Sequence, residues 1–189
     1  MSASTIFAGL PNLITLGRLV LVPVIIVMIS SQRWLEAFLI FVVAGVSDGV
    51  DGFIARRFDL RSELGAYLDP IADKALLISI YVALAIAHVL PPWLTIFVVS
   101  RDIMIMGAVV VSWLLGKPVE IKPLLLSKLN TVAQIGFAAL VLWAHAFVMP
   151  MTGWFDASLY VVAALTLASG ANYFRTWLAH MNGAGEGVA

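Results

Sequence analysis

The chain contains no cysteine. Disulfides, thiolate metal sites and a cysteine nucleophile are therefore excluded. Charge is also scarce: 12% of the 189 residues are Asp, Glu, Lys or Arg, against about 25% in an ordinary soluble domain. The two signs balance, with 11 basic and 11 acidic residues. There is no basic surplus of the kind a nucleic-acid partner requires. No basic stretch precedes the first apolar run, so a cleaved signal peptide is not expected. The Arg-rich, acid-poor character of an organelle transit peptide is absent as well.

What remains is overwhelmingly apolar. Hydrophobic residues make up 62% of the chain, and the mean hydropathy is +1.02. A soluble domain of this size leaves too much surface exposed to hide that content. The expected fold class is all-α: a polytopic integral membrane protein with six transmembrane helices. The spans are expected near Leu10–Ser30, Trp34–Arg56, Leu68–Leu90, Trp93–Leu115, Pro123 to the residue before Pro150, and Ala157–His180. Pro11 suits a first helical turn, and Pro91-Pro92 divides the third span from the fourth. Residues 1–182 form one expected domain, and 183–189 a flexible glycine-rich tail.

Basic residues in short loops set orientation. Arg56, Arg57 and Arg61 follow span two, Lys117 and Lys122 follow span four, and Arg175 lies near the end of span six. Arg33 alone lies on the other side. Both termini are thus expected to be cytoplasmic, with Trp34, Trp93 and Trp154 as anchors at the outer interface.

Ionisable residues inside spans are costly and point to function. Asp48 and Asp51 lie near the cytoplasmic end of span two, and Asp69 and Asp73 near the cytoplasmic start of span three. Spacings of three and four place each pair on one helix face. Four carboxylates gathered in a low-dielectric site would protonate or bind cations. Oxygen ligands suit Mg²⁺ or Mn²⁺, with Ca²⁺ also admissible, while the lack of Cys or His argues against zinc. Gly49, Gly52, Ala55, Gly65 and Ala66 keep the neighbouring surface low, and Arg56 is placed to hold a phosphate. The plainer reading is helix-packing glycines and acids paired with Arg56, Arg57 and Arg61.

The run from Asp48 to Asp73 reads D-x2-D-G-x2-A-R-x8-G-x3-D-x3-D. It resembles the signature of the CDP-alcohol phosphatidyltransferase family. The resemblance implies transfer of a phosphatidyl group from CDP-diacylglycerol to an alcohol, with release of CMP. It implies that Asp48, Asp51, Asp69 and Asp73 hold two divalent cations and that Asp73 is the general base. It also implies that Asp48, Asp51, Gly52, Ala55, Arg56 and Gly65 border the CDP moiety, and that the protein is a homodimer. His88 and His145 lie near outer span ends, where an interfacial or packing role is expected. Direct in-line attack is then more economical than a covalent intermediate.

The acceptor is read from other stretches. L-P-N-L-I-T-L-G-R, ending at Arg18, resembles the opening of family members that make phosphatidylglycerophosphate or cardiolipin. Phosphatidylglycerophosphate-forming members carry a second Arg eight residues after the one matching Arg101, where this chain has Val109. They also tend to have G-K-x-K-T where this chain has Ser127-Lys128-Leu129-Asn130-Thr131. A phosphomonoester carries nearly two negative charges and calls for those cations. S-K-x-N-T followed by Gln134 is similar to cardiolipin-forming members. Phosphatidylglycerol is therefore the expected acceptor, with Lys128, Asn130, Arg18 and Arg175 as its phosphate-binding candidates. Snorkelling toward headgroups is the alternative for Lys128 and Arg175. Arg101 and Asp102, in the outer half of span four, are expected to be a structural pair.

The rival acceptor is glycerol 3-phosphate. From other classes come a non-catalytic lipid-binding or scaffold protein and a divalent-cation transporter, although the acids gather at one level instead of lining the bilayer depth. A bacterial inner membrane with a cytoplasmic active site is expected before a mitochondrial one.

Overall fold

The structure, a computed structural model, describes residues 3–58, 63–115, 125–181 and 183, with side chains for 16–49, 72–115, 125–181 and 183. Within these residues there are six α-helices and no strands: α1 (Ala3–Ser30), α2 (Trp34–Phe58), α3 (Glu63–Ile86), α4 (Pro92–Leu114), α5 (Leu125–Ala146) and α6 (Gly153–Met181). Even α5, the shortest at 22 residues, exceeds the rise needed for a bilayer core of about 30 Å. Three helices, α4, α5 and α6, combine spanning length with high apolarity, and Leu16–Ser30 forms a shorter apolar stretch. The protein is an integral membrane protein.

Helix boundaries depart from the expected spans at two places. The first helix begins at Ala3, so Pro11 lies well inside it, as does Pro23. The third runs from Glu63 through Pro70 and stops at Ile86, short of Leu90. Proline is tolerated inside membrane helices because neighbouring groups satisfy the carbonyl it leaves free. Lys117, Lys122, Arg61 and the tail beyond Gly183 lie outside the described residues.

The helices fall into two compact units. The first contains α1, α2, α3 and the end of α5 from Ala138. Here α1 packs against both α2 and α3. Ile25 and Ile29 of α1, Ala37, Phe41 and Ala44 of α2, and Ala72, Leu76, Ile80 and Leu84 of α3 are buried. Their spacings of three, four and seven mark one face on each helix. Small residues on α2 let the backbones approach. His145 at the end of α5 meets Trp34 with ring centroids 4.5 Å apart, and its Nδ1 lies 3.1 Å from the Val141 carbonyl, which matches its expected packing role.

The second unit contains α4, α5 through Phe137, and α6. Here α4 packs against α6. Ala108, Ser112, Ala163 and Ser169 supply small buried residues in this unit. Trp34, Trp93 and Trp154 stand in the first turns of α2, α4 and α6. This is the rim position expected of aromatic anchors.

The helices α1, α3 and α5 end in the same motif. Gln32, His88 and Val148 have φ values of 56°, 57° and 53°. Each is followed by a residue whose N–H reaches back five positions along the chain: Arg33 to Met28, Val89 to Leu84, and Met149 to Ala144. A second bond runs from Gln32 to Ile29, His88 to Ala85, and Val148 to His145. These are Schellman closures built without the usual glycine.

Candidate active site

The buried face of α2 runs through Ala37, Phe41 and Ala44 and reaches Asp48 four residues later. On α3, Leu76 and Ile80 continue a face that carries Asp73. On α1, Ile25 lies two turns from Arg18. Each apolar stripe thus gives way to a charge, and the three charges meet. Arg18 Nη1 lies 2.7 Å from Asp48 Oδ1 and also donates to Asp73 Oδ1. The burial is unequal. The Arg18 side chain is 2% exposed, whereas those of Asp48 and Asp73 are 46% and 47% exposed. A buried cation therefore underlies two accessible anions.

Asp51 lies three residues beyond Asp48 on α2, and Asp69 four residues before Asp73 on α3. Gly52, Ala55 and Arg56 follow on α2, and Gly65 stands in the first turn of α3. The side chains of Asp51, Asp69, Ala55 and Arg56 lie outside the described residues. Among described residues no three acids or histidines converge as a metal cluster. The donor chemistry still fits a hard cation. Carboxylate oxygens from two helices converge on one cationic nitrogen, with nearly half of each side chain open to ligand.

The second unit carries a buried polar seam. Arg101 donates from Nη1 to Asp102 at 2.7 Å and from Nη2 to Ser169 at 2.8 Å. Nη2 also donates to Ser127 at 2.5 Å. Asn130 and Gln134 are fully buried. Thr166 donates to Asn130 Oδ1 at 2.9 Å and accepts from Gln134 Nε2 at 3.2 Å. Farther along α6, Trp177 Nε1 donates to Ser112 at 2.8 Å. Buried without a hydrogen-bond partner among the described residues are Arg101 Nε, Asn130 Nδ2 and the Tyr173 hydroxyl. Lys128 and Arg175 are exposed. A groove of about 340 Å³ opens beside the seam, with Arg101 and Thr166 among its lining residues and Phe97, Met104, Leu167 and Phe174 as apolar walls.

The model of the CDP-alcohol phosphatidyltransferase family matches residues 8–178. The chain belongs to this family.

Its relatives carry two kinds of name. A CDP-diacylglycerol–glycerol-3-phosphate 3-phosphatidyltransferase of rice chloroplasts is 35% identical over 190 residues, covering 88% of this chain and 56% of the relative. A fission yeast protein named as a fusion of CMP-forming cardiolipin synthase with a mitochondrial hydrolase is 34% identical over 183 residues, covering 87% and 30%. The Bacillus subtilis CDP-diacylglycerol–glycerol-3-phosphate 3-phosphatidyltransferase is 32% identical over 186 residues, covering 89% and 95%. The chain thus spans about half the length of the rice protein, under a third of the yeast fusion and nearly all of the Bacillus protein. These names divide between glycerol-3-phosphate phosphatidyltransferase and cardiolipin synthase.

In this chain, the residues singled out by sequence separate into distinct settings. Arg18, expected at the acceptor phosphate, is bound to the acids. Asn130 is locked into the buried seam. Arg101 makes the expected buried pair with Asp102 and also reaches Ser127, the neighbour of Lys128 in the S-K-x-N-T run. Thr166, Ser169 and Tyr173 were not singled out at all. Their signal was present in α6, where positions 166, 169 and 173 recur at helical spacing as polar residues in an apolar span.

Proposed function

We propose that the protein is a metal-dependent cardiolipin synthase, which transfers the phosphatidyl group of CDP-diacylglycerol to phosphatidylglycerol and releases CMP. The observation carrying the chemistry is the convergence of Asp48 and Asp73 within an unbroken family motif. In this reading Asp48, Asp51, Asp69 and Asp73 hold two divalent cations, Mg²⁺ or Mn²⁺. When bound, such ions neutralise pyrophosphate charge and stabilise the attacking and leaving oxygens. Gly52, Ala55, Arg56 and Gly65 border the CDP moiety.

The Asp73 carboxylate accepts the proton of the acceptor hydroxyl. The hydroxyl oxygen then attacks the phosphorus bearing the diacylglycerol. A P–O bond forms there as the P–O bond to CMP breaks, and the electron pair leaves with the CMP phosphate. The half-exposed Asp73 has the access that this proton transfer needs. A site at the cytoplasmic membrane level suits a water-soluble nucleotide joined to a lipid. In a bacterium this would be the inner membrane.

Two features support a lipid acceptor. Asn130 stands in an uncharged buried network at a position where a phosphomonoester site calls for a cation. The adjoining groove has apolar walls fit for acyl chains. Lys128 and Arg175 are the exposed cations assigned to the acceptor headgroup, with Arg101 as a positioning group for Ser127, the chain neighbour of Lys128. The second reading, glycerol 3-phosphate as acceptor, is favoured by the names of the rice and Bacillus relatives.

Purified protein supplied with CDP-diacylglycerol, Mg²⁺ or Mn²⁺ and each acceptor separately decides between them. CMP release is expected with phosphatidylglycerol. Release with glycerol 3-phosphate alone would overturn this choice of acceptor.

A further inference from the structure

The cation lying between Asp48 and Asp73 belongs to the chain itself. Arg18 is almost wholly buried, and one of its nitrogens, Nη1, makes both acidic contacts. Its Nε and Nη2 are buried without a hydrogen-bond partner among the described residues. A guanidinium pairs best with carboxylates when its fork spreads several donors over them. Here two donors are left over, and buried donors without partners are costly. The pairing neutralises the acids without satisfying the arginine.

We propose that Arg18 is an internal counter-cation, which occupies the position of a divalent ion in the metal-free protein and is displaced when the metal binds. The inference rests on the reading of Asp48 and Asp73 as metal ligands. Without a cation, carboxylates gathered in a partly buried site repel one another. Arg18 removes that repulsion and holds α2 and α3 in register. A metal must then compete for the same oxygens. Its apparent affinity is the intrinsic affinity multiplied by the fraction of protein in which Arg18 has withdrawn. Displacement also frees a guanidinium beside the site, where phosphate oxygens would satisfy its remaining donors. Metal arrival and readiness for a phosphate become one event.

The test is Mn²⁺ binding to the purified full chain without lipid substrates, followed by the electron paramagnetic resonance of free Mn²⁺. Thermal unfolding in EDTA and in saturating Mn²⁺ accompanies it. Arg18→Gln is expected to bind Mn²⁺ about tenfold tighter than wild type. It should melt lower in EDTA, with the gap closing in Mn²⁺. Arg18→Lys keeps the charge and should bind within about threefold of wild type. If Arg18→Gln does not fold, Arg18→Lys decides: binding about tenfold weaker than wild type overturns the proposal, because it marks a structural support and not a competitor. Equal or weaker binding by a folded Arg18→Gln overturns the counter-cation alone. No Mn²⁺ binding by either protein overturns the metal-ligand reading and this inference with it.

Discussion

The hydroxyl of Thr166 donates to Oδ1 of Asn130 across 2.9 Å and accepts the amide hydrogen of Gln134 across 3.2 Å. All three residues are buried. One hydroxyl therefore ties two α5 amides to α6. Thr166→Val removes the hydroxyl while keeping the shape. Leaving a buried polar group unsatisfied costs about 1–3 kcal/mol. The expected outcome is a lower unfolding temperature, with Thr166→Ser close to wild type. Thermal unfolding in one detergent with all three proteins checks this.

Asp73→Asn removes the assigned base and one metal ligand but keeps the side-chain volume. CMP release should fall by at least about 10²-fold, the lower end of what a positioned base contributes. The folded state should survive, because Arg18 retains Asp48. EDTA should abolish wild-type turnover, and added Mg²⁺ or Mn²⁺ should restore it. Full turnover by the variant would remove Asp73 from the chemistry.

Arg101→Lys tests whether charge alone suffices in the seam. The guanidinium reaches Asp102, Ser127 and Ser169 from two nitrogens. An ammonium is a point donor on a flexible stem and cannot reproduce this fork. The expected loss of stability is about 1–3 kcal/mol, the scale for leaving a buried polar group without its hydrogen-bond partner. Denaturation midpoints read it directly. In the acceptor assay, the variant should raise KM for phosphatidylglycerol more than it lowers kcat, since its place is beside Lys128.

Val148 is 90% exposed, and its φ of 53° is unsuited to a β-branched residue. Glycine adopts that conformation without a Cβ clash. Val148→Gly should stabilise the protein by about 1 kcal/mol, the usual penalty of a left-handed residue bearing a side chain. The unfolding temperature should rise while CMP release is unchanged.

The acids were legible in the sequence because charge stands out against an apolar background. Asp48 and Asp73 carry an energetic cost inside spans, and their spacing gives their faces. The helix count was legible for the same reason, since long apolar runs admit few other structures. Boundaries were harder. Pro11 and Pro70 look like helix starts by the rules for soluble proteins, yet both lie inside membrane helices. The partners of Arg18, and those of Arg101 beyond its chain neighbour Asp102, were not legible. Each depends on how three helices pack, and a single-helix pattern fixes only the face a residue occupies. The motif places Arg18 at a phosphate, yet its anions in the structure are Asp48 and Asp73, acids that the same signature assigns to metal.

The Schellman closures after α1, α3 and α5 leave short connections at residues 31–33, 87–91 and 147–152. Most of their backbone is committed to the turn itself. Such connections offer a protease no extended segment to cleave and a soluble protein little surface to recognise. They are also poor places to insert an epitope, because a longer loop would forfeit the paired bonds that stop each helix. In intact vesicles this rim should resist digestion even when it faces the protease. Surface-labelling of the folded protein would then have to use single substitutions at exposed turn positions such as Gln32 or His88, where a small reagent can react without opening the turn.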